Sequence, residues 1–198
     1  TRLQGDWSSD VCSSDLSDKA KVKNSKVVAA GSVKVEATGK PNVSTLAIGV
    51  AISAAKGGTG AAVSLAGVGS AAVNVLDNSV EASVVDEGAS HYSSRFVMAG
   101  NGVTVKATNA STTSAIAGGL ALSFADSSSS AAGAGSVGIA IALNEIGKKG
   151  TATRSTDYTR AAIDAAKVAA TGGSVVVDST STATIKALAL AEIGRAHV

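Results

Sequence analysis

A short string recurs three times along the chain. GSVKVEAT begins at Gly31, NGVTVKAT at Asn101 and GSVVVDST at Gly173, which puts Val33, Val103 and Val175 in equivalent places at spacings of 70 and 72 residues. A repeat of this length, about 71 residues, means that each copy has to find a similar environment, and stacked copies supply one another with it. The features between the strings recur in the same order. STLAIGVAIS at 44–53 matches SAIAGGLALS at 114–123, and GVGSAAVNVLDNSV from Gly67 matches GAGSVGIAIALNEI from Gly133. The third copy reaches TATIKALALA at 182–191.

Within each copy the period is two. Leu46, Ile48, Val50 and Ile52 alternate with Ala47, Gly49 and Ala51, and Val137, Ile139, Ile141 and Leu143 alternate with Gly138, Ala140 and Ala142. Successive side chains on a strand point to opposite faces, so this alternation predicts strands despite the helical propensity of Ala. Turns are expected at 56–60, 77–78, 99–102, 126–130, 147–150 and 171–173. The stretch TDYTRAAIDAAKVAA at 156–170 dissents and reads as a short helix capped by Thr156 or Asp157.

The two ends stand apart. DWSSDVCSSDL at 6–16 and EIGRAHV at 192–198 are what a common short-read sequencing adapter gives when translated. Residues 1–16 and 192–198 are therefore expected to be non-native tails around a repeat fragment at 17–191. The tails hold the only Trp (Trp7) and the only Cys (Cys12), together with Arg2, Arg195, Asp6, Asp10, Asp15 and Glu192. Without them the chain keeps 15 basic and 11 acidic residues, no cysteine, and four aromatics: Tyr92, Phe96, Phe124 and Tyr158.

That composition narrows the fold. A disulfide scaffold is excluded, and a near-neutral charge argues against a nucleic-acid binder. A globular sandwich fills its wide core with aromatics, and four are too few. The expectation is an all-β fold, a β-solenoid or right-handed parallel β-helix, with copies starting near 31, 101 and 173. Val, Ile and Leu are expected to fill its core, leaving Ala, Gly and Ser on the other face.

GSAAVNVLDNSVEASVVDEGA followed by GNGVTVKATN resembles the recurring unit of very long bacterial surface proteins, the β-strand-repeat filamentous adhesins and the leukotoxins of fusobacterial type. The similarity covers nearly all of 21–191. The second copy departs from it, with NEIGKKGTATRSTDYTRAAIDAAK where the first has NSVEASVVDEGASHYSSRF. The resemblance implies a β-helical stalk at the outer surface of a bacterium. Its partners would be neighbouring repeats of the same chain and a host-cell or matrix surface, with no catalytic residues and no cofactor.

Few groups suggest chemistry. Gly133, Gly135 and Gly138 match a dinucleotide fingerprint, but that motif needs a following helix, and the residues here alternate as a strand. Asp77-Asn78 and Asp86-Glu87 are a weak calcium candidate that turn chemistry explains more simply. Lys19, Lys21, Lys23 and Lys26 form a basic edge, read as a solvated strand face. The uncharged runs at 57–76 and 107–125 are long enough to span a bilayer, but small residues and alternation argue against a transmembrane helix. The loop at 86–98, with Glu87, His91, Tyr92, Arg95 and Phe96, is the first candidate for a binding surface, because loops on rigid scaffolds carry function. A second loop is expected at 148–164.

The function expected is a structural or adhesive repeat segment without enzymatic activity. The alternative is a β-helical polysaccharide-active enzyme, which would bring Asp86, Glu87 and Arg95 to face Asp157 and Arg160 across a cleft. An ice-binding solenoid would need a flat threonine array, and only Thr180, Thr182 and Thr184 resemble one.

Overall fold

The computed structural model describes residues 2–88, 95–128, 131–147 and 157–197, with side chains described only between 16 and 194. Among these residues all regular structure is strand, and every strand pairing is parallel. The chain makes three coils. The first runs through β1 (Arg2–Lys23), β2 (Val27–Ala29), β3 (Val33–Gly39) and β4 (Asn42–Gly57). The second is β5 (Ala62–Val85), β6 (Phe96–Ala99) and β7 (Val103–Ser127). The third is β8 (Ala132–Ile146), β9 (Tyr158–Asp164), β10 (Lys167–Ala170) and β11 (Val175–His197).

Stacking these coils produces three sheets. β5 lies between β1 and the β8–β9 line, β6 between β2 and β10, and β7 between β3–β4 and β11. One sequence repeat is therefore one rung of a parallel β-solenoid. Val33 and Val175 both pair with Val103, so the three valines form a single column. The 44–53 segment likewise lies on 114–123, residue for residue.

One sequence pairing is corrected. Gly67 does not lie beside Gly133 but beside Val137, and Asn74 lies beside Asn144, a uniform offset of 70. The cause is geometric. Four residues separate β4 from β5 and four separate β7 from β8, so the register of one long sheet is passed unchanged to the next.

The interior changes character along each coil. Beside the short sheet three walls surround it, and Val80, Val84, Val97, Val103 and Val105 fill the space. Farther away only two sheets face each other, and the buried residues are Ala47, Ala72, Ala115 and Ala117, then Ala51, Ala66, Val68 and Ala121. Here the expected core is turned inside out. Ala47 and Ala117 are 3% and 0% exposed, whereas Leu46 and Ile48 are 57% and 60% exposed. The backbones leave room mainly for small side chains: a Cβ on Gly49 would lie 2.9 Å from the carbonyl oxygen of Gly69 across the gap. Gly, Ala, Ser, Thr and Asn line most of this space, and Val68 fits because it stands opposite Gly49, which has no side chain.

Polar side chains stitch this gap. Asn74 Nδ2 donates to the Ser114 carbonyl and to Asn144 Oδ1, both at 2.7 Å, and Asn144 Nδ2 donates to the Lys186 carbonyl at 2.5 Å. Ser114 and Lys186 are register partners, so each of these rungs spans the gap by the same amide bond. Ser123 Oγ donates to the Ser64 carbonyl, and Ser136 Oγ to that of Gly194, each at 2.9 Å.

Two local expectations also fail. Residues 158–170 form β9 and β10, not a helix, because an open strand edge offers backbone partners that outweigh alanine propensity. Asp77 and Asn78 lie within β5 instead of turning, and Asn78 Nδ2 donates to Asn109 Oδ1 across the interior at 2.9 Å.

The inverted packing sets opposite costs for two neighbouring classes of substitution. Ala117→Leu should lower the unfolding free energy by about 1–3 kcal/mol through overpacking. Ile141→Ser, at a position 55% exposed on the outer face of the other sheet, should change it by less than about 0.5 kcal/mol, as surface substitutions do. Urea midpoints check both, and a larger loss from Ile141→Ser would refute the arrangement.

Candidate functional site

Comparing the three rungs locates the segments that depart from the repeat. At the corner between the first sheet and the short sheet, two rungs need only a few residues: 24–26 between β1 and β2, and 165–166 between β9 and β10. Asn24 and Ala165 both turn there with φ of 50°. The middle rung takes ten residues, 86–95, over the same corner. The second departure is 147–157, eleven residues where the neighbouring strand has only Asp77 and Asn78, because Leu76 pairs with Ile146 and Ser79 with Tyr158. Tyr158 to Asp164, expected within a loop, belong to strand β9.

The base of the first insertion is held by charge. The Asp86 N–H continues the ladder by donating to the Asp164 carbonyl at 3.0 Å, while its carboxylate, 7% exposed, accepts from Arg95 Nη1 at 3.1 Å and from the Gly88 N–H at 3.2 Å. Residues 86 and 95 open and close the inserted segment, so this pair cinches its neck. Next to it the Glu87 N–H donates to Asn24 Oδ1 at 2.8 Å, and the Glu87 carboxylate lies between Lys21, at 3.3 Å, and Lys23. The Lys23 hydrogen bond holds the Glu87 carboxyl below its usual range. Phe96 opens β6 with the Lys26 ammonium 5.3 Å above its ring, a cation–π contact. A cavity of about 10 Å³ between Val22, Val84, Arg95 and Phe96 has room for about one water.

Three of the five sequence candidates, Glu87, Arg95 and Phe96, thus share one corner. His91 and Tyr92 lie outside the described residues. Asn24 was missed, although it occupies the corner position that Ala165 fills two rungs away. The proposed calcium pair is separated, since Asp86 turns to Arg95 and Glu87 to the two lysines. Part of the basic edge, Lys21 and Lys23, therefore neutralises Glu87 instead of only meeting solvent.

The groups an enzymatic cleft would use are engaged in ladder contacts. Arg160 lies beside Glu81, at 3.5 Å, and Asp164, at 3.6 Å, and the Tyr158 hydroxyl donates to Glu81 at 3.3 Å. Burial pushes the Asp157 carboxyl up, the Asp77 charge adds to the rise, and the Asn78 N–H opposes it. Gly133, Gly135 and Gly138 lie inside β8, with no helix start to bind phosphate. Among the described residues no three potential metal ligands cluster, and no helix is long and apolar enough to cross a membrane. No family model, curated protein or solved structure matches the chain.

Two outcomes follow from this electrostatics. Asp86→Ala should destabilise by about 2 kcal/mol, because it removes the buried carboxylate that the Arg95 guanidinium and the Gly88 N–H share, whereas Glu87→Gln should leave thermal stability unchanged within error. Equal losses from the two would refute the neck assignment. A carboxyl raised in the folded state favours folding when protonated, and that contribution fades as pH rises through the folded pKa. Asp157→Asn should therefore raise the melting temperature at pH 7, with the gain vanishing below the ordinary carboxyl range. A gain that grew on acidification would reverse the sign.

Proposed function

We propose that residues 17–191 are a structural and adhesive repeat segment of a large secreted or surface-anchored bacterial protein. In this reading the three rungs are a slice of a longer β-helical scaffold that displays the insertions at 86–95 and 147–157. The tails at 1–16 and 192–198 are foreign to it, and their backbone extends β1 and β11 because a parallel strand edge accepts any chain that can supply N–H and C=O groups.

The supporting observation is the state of the last rung. Val103 and Val105 are fully buried, while their register partners Val175 and Val177 are 41% and 48% exposed. Val35 in the first rung, which the middle rung follows, is 6% exposed, so β11 is a template for a further copy. Each added copy would bury one more set of columns, making stability a sum over repeats and their interfaces. Display on a cell surface rests on the resemblance of the repeat unit to the filamentous adhesins and leukotoxin-type proteins.

Sequencing the gene beyond both tails tests this reading. Further copies of about 70 residues, with a secretion signal and an anchor, are expected. Unrelated flanking domains and no export segment would overturn it.

A further inference from the structure

The inverted core leaves branched apolar side chains on both outer faces of the two-sheet region, and the faces differ. On the β1–β5–β8 sheet the relief is uneven: the middle strand presents Gly67, Gly69 and Ala71 beside Val137, Ile139 and Ile141 of β8. On the β4–β7–β11 sheet every strand contributes. Leu46, Ile116 and Leu188 form one column, Ile48 and Leu190 flank Gly118, and Val50 and Ile52 pair with Leu120 and Leu122. Leu46, Ile48, Ile52 and Leu190 each leave half or more of their surface in solvent.

We propose that this face packs against the same face of a second copy of the chain, with the two-fold axis along the stacking direction. These nine large apolar side chains, some half exposed and some less, make a patch of roughly 600 Å², the upper end of what an ordinary monomer leaves in water. Covering it with its own image buries about 1,200 Å², the lower end of a specific interface. Within 17–191 the outward positions of the patch carry no charge, and Glu192, beside Leu120 on the outer strand β11, adds a single acidic group at its edge. Lys186 borders it on one side and Lys56 and Asp126 on the other, so it lacks the cationic rim that would hold an anionic lipid surface.

Charge selects the axis. Nearer the short sheet, Glu36, Lys106 and Asp178 share one row across the rungs, with Lys106 and Asp178 paired at 3.4 Å. A two-fold axis along the strands would set Lys106 against its own image, a like-charge contact. An axis along the stack, passing through the patch, carries those charged rows outward on opposite sides. It also preserves the stacking direction, so the two copies keep a common rung spacing. The pair needs only the three rungs described and does not depend on what flanks them.

The test uses the full chain in sedimentation equilibrium. The unaltered protein should show a doubled mass that returns to the monomer value in the double variant Ile48→Lys and Ile116→Lys, with circular dichroism unchanged. Val137→Lys with Ile141→Lys, on the other sheet, should leave the mass doubled. In a Cys12→Ser background, mild oxidation of Leu120→Cys should give a covalent dimer, whereas Val73→Cys should not. A monomeric unaltered chain overturns the proposal, and so does one that instead floats with neutral phosphatidylcholine vesicles. A doubled mass that survives the Ile48/Ile116 lysines, or equal crosslinking from Val73→Cys, would mean association elsewhere, such as end-to-end stacking of open rungs, and also overturns it.

Discussion

Where two long parallel sheets approach closely enough for a Cβ on Gly49 to meet the backbone of Gly69, the side chains between them are dictated by volume. Alanine, glycine and serine predominate there, Val68 packs where Gly49 faces it, and asparagine is admitted because its amide bonds both to the facing backbone and to the next rung. The amide nitrogens of Asn74 and Asn144 thereby regain the acceptors that burial removes, which is the condition for burying a donor. The narrow gap thus combines dense backbone packing with polar stitching, and the apolar branched residues are displaced outward. In the valine-filled end, where the short sheet adds a third wall, the familiar distribution returns.

Much of this architecture was legible in the sequence. The recurrence of Val33, Val103 and Val175 gave the column, and the alternation of 44–53 gave the strand and its register on 114–123. Alternation defines two faces without naming the inner one. The habit of putting Leu and Ile inside is reliable when sheets are separated by large side chains, and that separation is a tertiary property no local pattern carries. The helical reading of 156–170 failed for a related reason. Alanine propensity amounts to tenths of a kcal/mol per residue, and pairing with the edges of β5 and β6 exceeds it.

The candidate site was legible as a place and less so as a set of contacts. Glu87, Arg95 and Phe96 were found because a polar, partly aromatic stretch interrupts the repeat. The opposing groups Asn24, Lys21 and Lys23 belong to the rung before it, 63 residues or more away in sequence for the bonds they make to Glu87. Such partners emerge only once one repeat is known to equal one rung. The corner positions then align, and Asn24, Asp86 and Ala165 follow directly after the register-matched residues Lys23, Val85 and Asp164. The described ends of both insertions meet the same sheet: Asp86 continues the β5 ladder onto Asp164, and the Gly147 N–H donates to the Leu76 carbonyl.

The length of β5 has a consequence for scale. Its 24 residues make the coil on the order of 80 Å broad, while each rung lifts the stack by only ~4.8 Å. Ten copies laid end to end would still be broader than tall. Multiplying the repeat therefore gains little distance from an anchoring point and instead lays down planking, each plank adding roughly 400 Å² to either broad side. In a molecule of this shape, copy number sets how much surface can be gripped, and hence how avidly, before it sets how far the molecule extends.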